Sequence, residues 1–530
     1  MTGLHADLAA SLAHHQVFIP QQGVVRLPTL TRGRLNFPRQ LPVETVRTLI
    51  EDKDYLEIED LVLVREPTAD AEGATLRRIF VLPSHENLAE LIAISPNTII
   101  EQHANLHFER ALELIEAIGR FLSPDGPFQE VIRAINAEFG QALPSGCFFP
   151  WLGAVCNSEN IRRTVDRDLA WGQIEGSQLL SDWHSVGTVQ QLANVLIDHA
   201  LNEEGTAERA IEKAAIRALP TRQLHITSGN TSTGPLFSLI RGLSVKGAIT
   251  LKMSADSLIS GGALAVALAH SLDSHPLVDS ASVVYWKGGD TGVEESLFHS
   301  ELFDRIVVSA GHHIQASIRA KCREAKVVSF GPRIGVSLLC LDDTSELTKI
   351  ASRAVADSLI ADQASCDASI IHFVEADRAR VLAYAEAALH CLARWDIINP
   401  RESTWEEWAS IRRERRGRLA SGAWLFNGGA AKPTSAVVVA DASVSEWIPP
   451  MRRVILIQPV MNIKEAVQRI GRSVSTAGIY PERARIKHRN EILARGASAV
   501  IPLGSAGNSY PGMPREGIRP LSELVSWVTG

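Results

Sequence analysis

The chain has 530 residues, of which 45% are hydrophobic, 21% charged and 6% aromatic. That balance excludes a disordered, collagen-like or disulfide-stapled chain, and at roughly 100–200 residues per domain it predicts two to four domains. Lys plus Arg total 53 against 60 Asp plus Glu, a net charge of −7, so a broad basic footprint for nucleic acid is not expected.

The cysteines are Cys147, Cys156, Cys322, Cys340, Cys366 and Cys391. They form no CxxC pair and no Cys/His cluster at zinc spacing, and so read as free thiols of a reducing compartment. Met1–Gln16 lacks a basic segment followed by an apolar one, and no run of about 18 apolar residues occurs, so neither a leader nor a membrane span is expected and a cytoplasmic location is.

In chain order, residues 1–150 carry short strand-like runs (Leu61–Val64, Arg78–Leu82) and one strongly amphipathic helix, His107–Leu122. The stretch 143–160, rich in Pro, Gly, Cys and aromatics, reads as an irregular connection. Val189–Leu219 reads as amphipathic helix, stopped by Pro220. From 223 onward, apolar β-branched runs alternate with helical segments. The expected strands are Gln223–Thr227, Ala248–Met253, Ser282–Trp286, Arg305–Ser309, Lys326–Phe330 and Gly335–Leu341. Helices are expected near 236–243, 257–272, 293–300 and 314–323. This alternation predicts a parallel sheet covered on both faces. It continues with helix Leu347–Ile360, strand Ile370–Val374, helix Arg378–Arg394, a charged helix over 401–420, strands Ser435–Ala440 and Arg453–Val460, and a Gly/Pro-rich loop, Gly504–Glu516.

Several positions carry chemistry. Ser228-Gly229-Asn230 closes a strand and precedes a helix, where parallel sheets bind ligands. The Asn230 amide suits a developing oxyanion, and it equally suits a helix cap. Lys252 ends the next strand, placed either for a nucleotide ribose or phosphate or for solvent. Ser309-Ala310-Gly311 opens a helix with small residues, which admit a pyrophosphate or only tight packing. No GxGxxG fingerprint is present. Cys366, in Asp362-Gln363-Ala364-Ser365-Cys366-Asp367, sits between a helix and a strand among polar neighbours, a setting that suits a reactive thiol, although a lone cysteine is most often a small core residue. The Arg412–Arg418 run reads as a solvated helix face, and His184, His312 and His313 as surface or packing histidines.

The order of these segments resembles the aldehyde dehydrogenase superfamily, and within it the acyl-thioester reductases typified by the fatty acyl reductase of bacterial bioluminescence (the LuxC family). Ser-Gly-Asn (228–230) is followed by Ile-Arg-Gly (240–242), Lys252, Ser-Val-Val-Tyr-Trp (282–286), Phe-Gly-Pro (330–332) and Asp-Gln-x-x-Cys (362–366). Asn230 and Cys366 lie 136 residues apart. Toward the C-terminus come Gly478-Ile479-Tyr480-Pro481, Pro511-Gly512-Met513-Pro514-x-x-Gly517 and Leu524-Val525-x-Trp527. The resemblance covers about 180–530.

The resemblance implies an α/β fold: a Rossmann-type dinucleotide-binding domain, an α/β catalytic domain and a small oligomerisation segment. The corresponding division is 1–150 of unclear class and partly packed on the core, 151–345 for the nucleotide, 346–480 for catalysis and 481–530 returning to the core or an oligomer interface. Cys366 would be the nucleophile, with Asn230 and the Cys366 N–H as oxyanion donors. Lys252 and Ser254 would hold the adenosine ribose or its phosphate, and Ser309 and Gly311 the pyrophosphate. Ser228, Gly229 and Gly331 would line the cofactor, and Glu446 would reach the nicotinamide ribose. Hydrolytic members carry an activating Glu where this chain has Ser329-Phe330-Gly331-Pro332, so reduction is the expected direction. The expected cofactor is NADPH, with NADH as the alternative, since no carboxylate follows Lys252 directly and Asp256 is the nearest. The expected donor is acyl-CoA, an acyl-carrier protein or an acyl-enzyme, and a homo-oligomer is implied. Two other readings stand beside this one: an oxidative aldehyde dehydrogenase, and a non-catalytic homologue that binds an acyl carrier or partner.

Overall fold

The computed structural model describes every residue except 1, 67–77, 127–132, 134–147, 190–211, 273, 299–300, 323–324, 401–404, 417–421, 429–432, 441–452 and 508–511. Runs such as Ile306-Val307-Val308 and Ile249-Thr250-Leu251 are buried along their whole length. β-Branched side chains with no polar face fit strands covered on both sides. Five such strands lie parallel in the spatial order Lys326–Phe330, Arg305–Ser309, Arg222–Ile226, Ala248–Lys252, Ser282–Val284. The antiparallel hairpin Thr29–Thr31 and Arg34–Asn36 extends the sheet. The strand earliest in sequence, Arg222–Ile226, therefore lies beside the fourth, Arg305–Ser309, and the winding reverses between them. In doubly wound sheets ligands bind at such a reversal, outside the carboxyl ends of the strands.

A second sheet has the order Ala423–Asn427, Ser435–Val439, Val454–Val460, Ser369–Glu375, Ile334–Cys340, Val474–Tyr480, Ala499–Pro502. It is parallel apart from its first strand. Since Ile334–Cys340 belongs here, the chain passes from one sheet to the other at residues 331–333.

The N-terminal region is built into the first unit. Helix Phe108–Phe121 buries Leu112, Leu114, Ile115 and Ile118 against helices Gly234–Ser244 and Leu258–Ser271. Helix Leu258–Ser271 lies close because it carries Gly at 261 and 262; a Cβ at Gly261 would meet the Met253 sulfur at 2.0 Å. Buried Lys246 donates to the carbonyls of Ala104, Leu106 and Leu180 at 3.1, 3.0 and 2.7 Å, pinning the early segments to the sheet. Strands Val24–Arg26, Ile79–Pro83, Leu61–Arg65 and Tyr55–Ile58 form a separate four-stranded sheet.

Two sequence expectations are corrected. The end of the stretch read as helix, Glu212–Leu219, is a strand, paired antiparallel with His184–Val189 and with the C-terminal Ser526–Thr529. Its alanines favour helix, but two partners distant in sequence decide the outcome. The stretch read as an irregular connection holds helices Phe148–Val155 and, from residue 158, Ser158–Asp168, the latter capped by Asn157. No helix among the described residues is long and apolar enough to cross a membrane.

Candidate active site

Because the five strands of the first sheet are parallel, the residues leaving their carboxyl ends gather along one edge. Ser228, Gly229 and Asn230 follow Arg222–Ile226. Lys252 is the last residue of its strand, and Ser254 begins the turn after it. Ser309 ends Arg305–Ser309, and Gly311 caps helix His312–Lys321. Gly331 follows Lys326–Phe330. A Cβ built at Gly311 meets nothing within 4 Å, so the backbone there is open to a ligand. Gly229, in contrast, packs against Asp256, whose Oδ2 a Cβ would meet at 2.3 Å. The buried Lys252 ammonium lies 5.5 and 5.6 Å from the ring centres of Tyr285 and Trp286, within cation–π range. Burial pushes it down to about 8.

Cys366 lies in the turn between helix Leu347–Ser358 and strand Ser369–Glu375. The turn is strained: Ala361, Asp362 and Gln363 have φ of 49°, 51° and 70°, a left-handed conformation that costs non-glycine residues about 1–3 kcal/mol each. Side chains from the second sheet hold it. Buried Arg453 donates to Asp362 and Asp396, both at 2.7 Å. The Gln363 carboxamide accepts from Val454 N–H at 3.0 Å and donates to the Val454 carbonyl at 3.1 Å, as a neighbouring strand would. Asp362 and Gln363 of the Asp-Gln-x-x-Cys pattern are thus the struts of the cysteine turn.

The sulfur is half-buried. Asn230 Nδ2 donates to the Ala364 carbonyl at 2.5 Å, and its Oδ1 accepts from Ser228 Oγ at 2.5 Å. This ties the edge of the first sheet to the cysteine turn, and the carboxamide nitrogen keeps a second hydrogen. The Ser475 hydroxyl donates to the Cys366 carbonyl at 2.5 Å.

The segment 504–522 supplies residues that the sequence reading passed over. Arg515 Nη2 lies 3.1 Å from Cys366 Sγ and 3.5 Å from Asp367 Oδ2. Glu516 accepts the Gly331 N–H at 2.9 Å and lies 3.6 Å from Arg333. Arg515 and Glu516 occupy the two unspecified positions of the Pro511–Gly517 pattern, and an adjacent ion pair inside a Gly/Pro-rich loop was their only signal. The stretch Ser329–Pro332 has no carboxylate of its own, yet the fold brings Glu516 to it. Burial pushes the Glu516 carboxyl up. Burial also pushes the Cys366 thiol up, and Arg515 opposes that rise. Half-buried Arg241, 5.4 Å from the Phe330 ring, is pushed down to about 10 by burial and by Arg515.

Asn230 and the cysteine turn are therefore brought together, with the other candidate residues along the same sheet edge. Glu446 lies outside the described residues. His312, His313 and the Arg412–Arg416 arginines are exposed. No group of three or more His, Cys, Asp or Glu suited to a metal occurs among the described residues.

The chain is similar to solved aldehyde dehydrogenases over nearly its whole length. One is an aldehyde dehydrogenase C mutant of Pseudomonas syringae bound to NAD+ and octanal (TM-score 0.61, 12% identity, 95% of this chain and 96% of that one). Another is an NADP-dependent glyceraldehyde-3-phosphate dehydrogenase of Bacillus halodurans bound to NADP (TM-score 0.64, 15% identity, 95% and 98%). In sequence it is similar to a long-chain acyl-protein thioester reductase of Photorhabdus laumondii, with 24% identity over 69% of this chain and 77% of the relative. The similar reductase of Vibrio harveyi is 23% identical over 59% and 65%. Residues 197–527 match the family model "Acyl-CoA reductase (LuxC)", and the chain belongs to that family.

Proposed function

We propose that the protein reduces an acyl thioester to an aldehyde through an acyl-enzyme on Cys366, using a reduced nicotinamide cofactor. The observation that carries this reading is the hydrogen bond from Asn230 to Ala364, which ties the cysteine turn to the ligand-binding edge of a doubly wound sheet. The family membership and the names of the acyl-protein thioester reductase relatives support it.

The residues fit such a cofactor. Open backbone at Gly311 and the small Ser309 leave room for a pyrophosphate at the start of helix His312–Lys321. Lys252 and Ser254 stand where an adenosine ribose would lie, and Ser228, Gly229 and Gly331 line the same edge. When bound, the reduced nicotinamide supplies a hydride. Lys252, with no carboxylate directly after it, favours the 2′-phosphate of NADPH over NADH.

The Cys366 thiolate attacks the acyl carbon, and Asn230 Nδ2 with the Cys366 N–H receives the negative oxygen. The C–S bond to the carrier breaks and the carrier leaves as a thiol, taking one proton. After reduction the thiohemiacetal on Cys366 collapses to aldehyde and restores the thiolate. One thioester, one hydride and one proton thus give one aldehyde and one thiol. An acyl-protein or acyl-CoA is the donor class this chemistry fits. The three-stranded sheet of His184–Val189, Glu212–Leu219 and Ser526–Thr529 is the segment we assign to self-association.

The test is NADPH oxidation over a panel of acyl thioesters, run beside Cys366→Ser. Aldehyde formed by the wild type and abolished in the variant supports the reading. Equal oxidation by both proteins removes the nucleophile. Sustained acid formation from aldehyde and NADP+ without a thiol acceptor favours the oxidative direction instead.

A further inference from the structure

We propose that Arg515 is a catalytic residue whose guanidinium favours the thiolate form of the Cys366 sulfur for attack on the incoming acyl carbon. The assignment rests on the nucleophilic role of Cys366 and adds to it the group that favours charge on the sulfur.

Arg515 Nη2 lies 3.1 Å from Sγ, and a guanidinium carries only donors, so the sulfur is the acceptor in this contact. The Arg515 side chain is partly exposed, and its backbone is fixed. Its backbone exchanges hydrogen bonds with Ile518 at 2.8 and 3.0 Å. Described residues on either side of it are held by buried carboxylates. Asp357 accepts the N–H groups of Gly504 and Ala506 at 2.7 and 2.9 Å. Asp168 accepts those of Leu521 and Ser522 at 3.1 and 3.0 Å. Between these anchors Glu516 grips Gly331 at the end of the first sheet.

The charges around the sulfur decide what the contact does. Burial, Asp367 and Glu516 oppose a thiolate and together leave the thiol above its ordinary range, while Arg515 favours the thiolate and limits that rise. Arg241 lies within electrostatic reach of Cys366, Glu516 and Arg515, and Arg333 is paired with Glu516. Of these groups Arg515 alone is in hydrogen-bonding contact with Sγ, and a cation beside a cysteine is a recognised way to depress its pKa. The thiol proton passes to solvent as the thiolate forms. Acylation then removes the charge from sulfur, and Asp367 Oδ2, 3.5 Å from the same nitrogen, remains as its partner.

The test follows the rate of Cys366 alkylation by iodoacetamide from pH 6 to 10, read on the Cys366 peptide by mass spectrometry, in the intact protein without substrate or cofactor. Arg515→Gln is expected to raise the apparent thiol pKa by about one unit or more, slowing alkylation at pH 7 roughly tenfold. Arg515→Lys is expected to recover most of the rate. Asp367→Asn, which removes an opposing charge, is expected to move the profile the other way and keeps the test open should Arg515→Gln not fold. A profile for Arg515→Gln that overlays the wild type, or one for Asp367→Asn that fails to shift downward, overturns the proposal. Either result with thioester-dependent NADPH oxidation intact sinks the Arg515 assignment alone. Undiminished turnover by Cys366→Ser sinks the reading beneath it.

Discussion

Arg453, just before strand Val454–Val460, meets at 2.7 Å the carboxylate of Asp362, four residues before Cys366. The guanidinium also serves Asp396, which binds Asn427, Thr434 and Ser435 through its other oxygen. Burial opposes the Asp396 charge, but the hydrogen bonds from Thr434, Arg453, Ser435 and Asn427 hold the carboxyl below its usual range. Arg453 is therefore the keystone that neutralises two carboxylates and clamps a left-handed turn. Replacing it by Met takes the countercharge from both, and breaking a buried pair from one side costs about 3–5 kcal/mol. Arg453→Met is expected to lower the free energy of unfolding in urea by that amount, with a lower midpoint, and to lose activity, with part of the stability regained in Arg453→Met/Asp396→Asn. An unchanged midpoint would contradict the account.

Asn230 is expected to act on the chemical step and little on binding. Asn230→Ala removes the proposed oxyanion donor, and the loss of one such donor lowers kcat by about 10²–10³. Steady-state kinetics with a thioester substrate should show that fall with KM changed far less. A fall confined to KM would make Asn230 a binding residue.

Lys252, proposed to meet the adenosine ribose, is expected to make cofactor preference depend on pH. With its ammonium held at about 8 by burial, the side chain is charged below that pH and loses its proton as pH rises through it. The KM for NADPH is expected to climb between pH 7 and 9 while that for NADH moves little. At pH 7, Lys252→Met should raise the NADPH KM about tenfold or more, the size expected for a hydrogen bond to a charged group, and should abolish the pH dependence. Parallel NADPH and NADH profiles in the wild type would count against a 2′-phosphate contact.

Asp357 makes stability depend on pH. Burial raises its carboxyl from 3.8 to about 6, against the pull of the two N–H donors. A raised carboxyl binds its proton more tightly in the folded chain, so folding stability falls as pH rises from about 4 to about 6, and the penalty stays above that. The shift corresponds to roughly 3 kcal/mol. Asp357→Asn cannot titrate and should remove this part of the slope when Tm is compared at pH 4.5 and 7. A wild-type-to-variant difference that is the same at both values would refute the assignment.

The sequence made some of this legible. The strands of the doubly wound sheet are short, apolar and β-branched, and periodicity found each to within a residue or two. The cysteine turn was recognisable from the order of Asn230, Lys252 and Cys366, since no single motif marks it. Glu212–Leu219 was misread because its helix-favouring residues are overruled by partners near 184 and 526. Arg515 was invisible for a related reason. It stands 149 residues from the sulfur it touches, and nothing local distinguishes an arginine that folds back from one that points to water.

The strap from Gly504 to Ser522 bears on how this protein can be recombined. The proposed nucleophile belongs to one piece of chain and the arginine beside it to another, so a graft of residues 359–367 into a foreign scaffold would carry the sulfur and leave that cation behind. A chimera meant to inherit the reactivity must take both pieces, together with the two carboxylates that moor the strap. Shortening the C-terminus to tidy a domain would, on the same grounds, disarm a thiol that the deletion never touches.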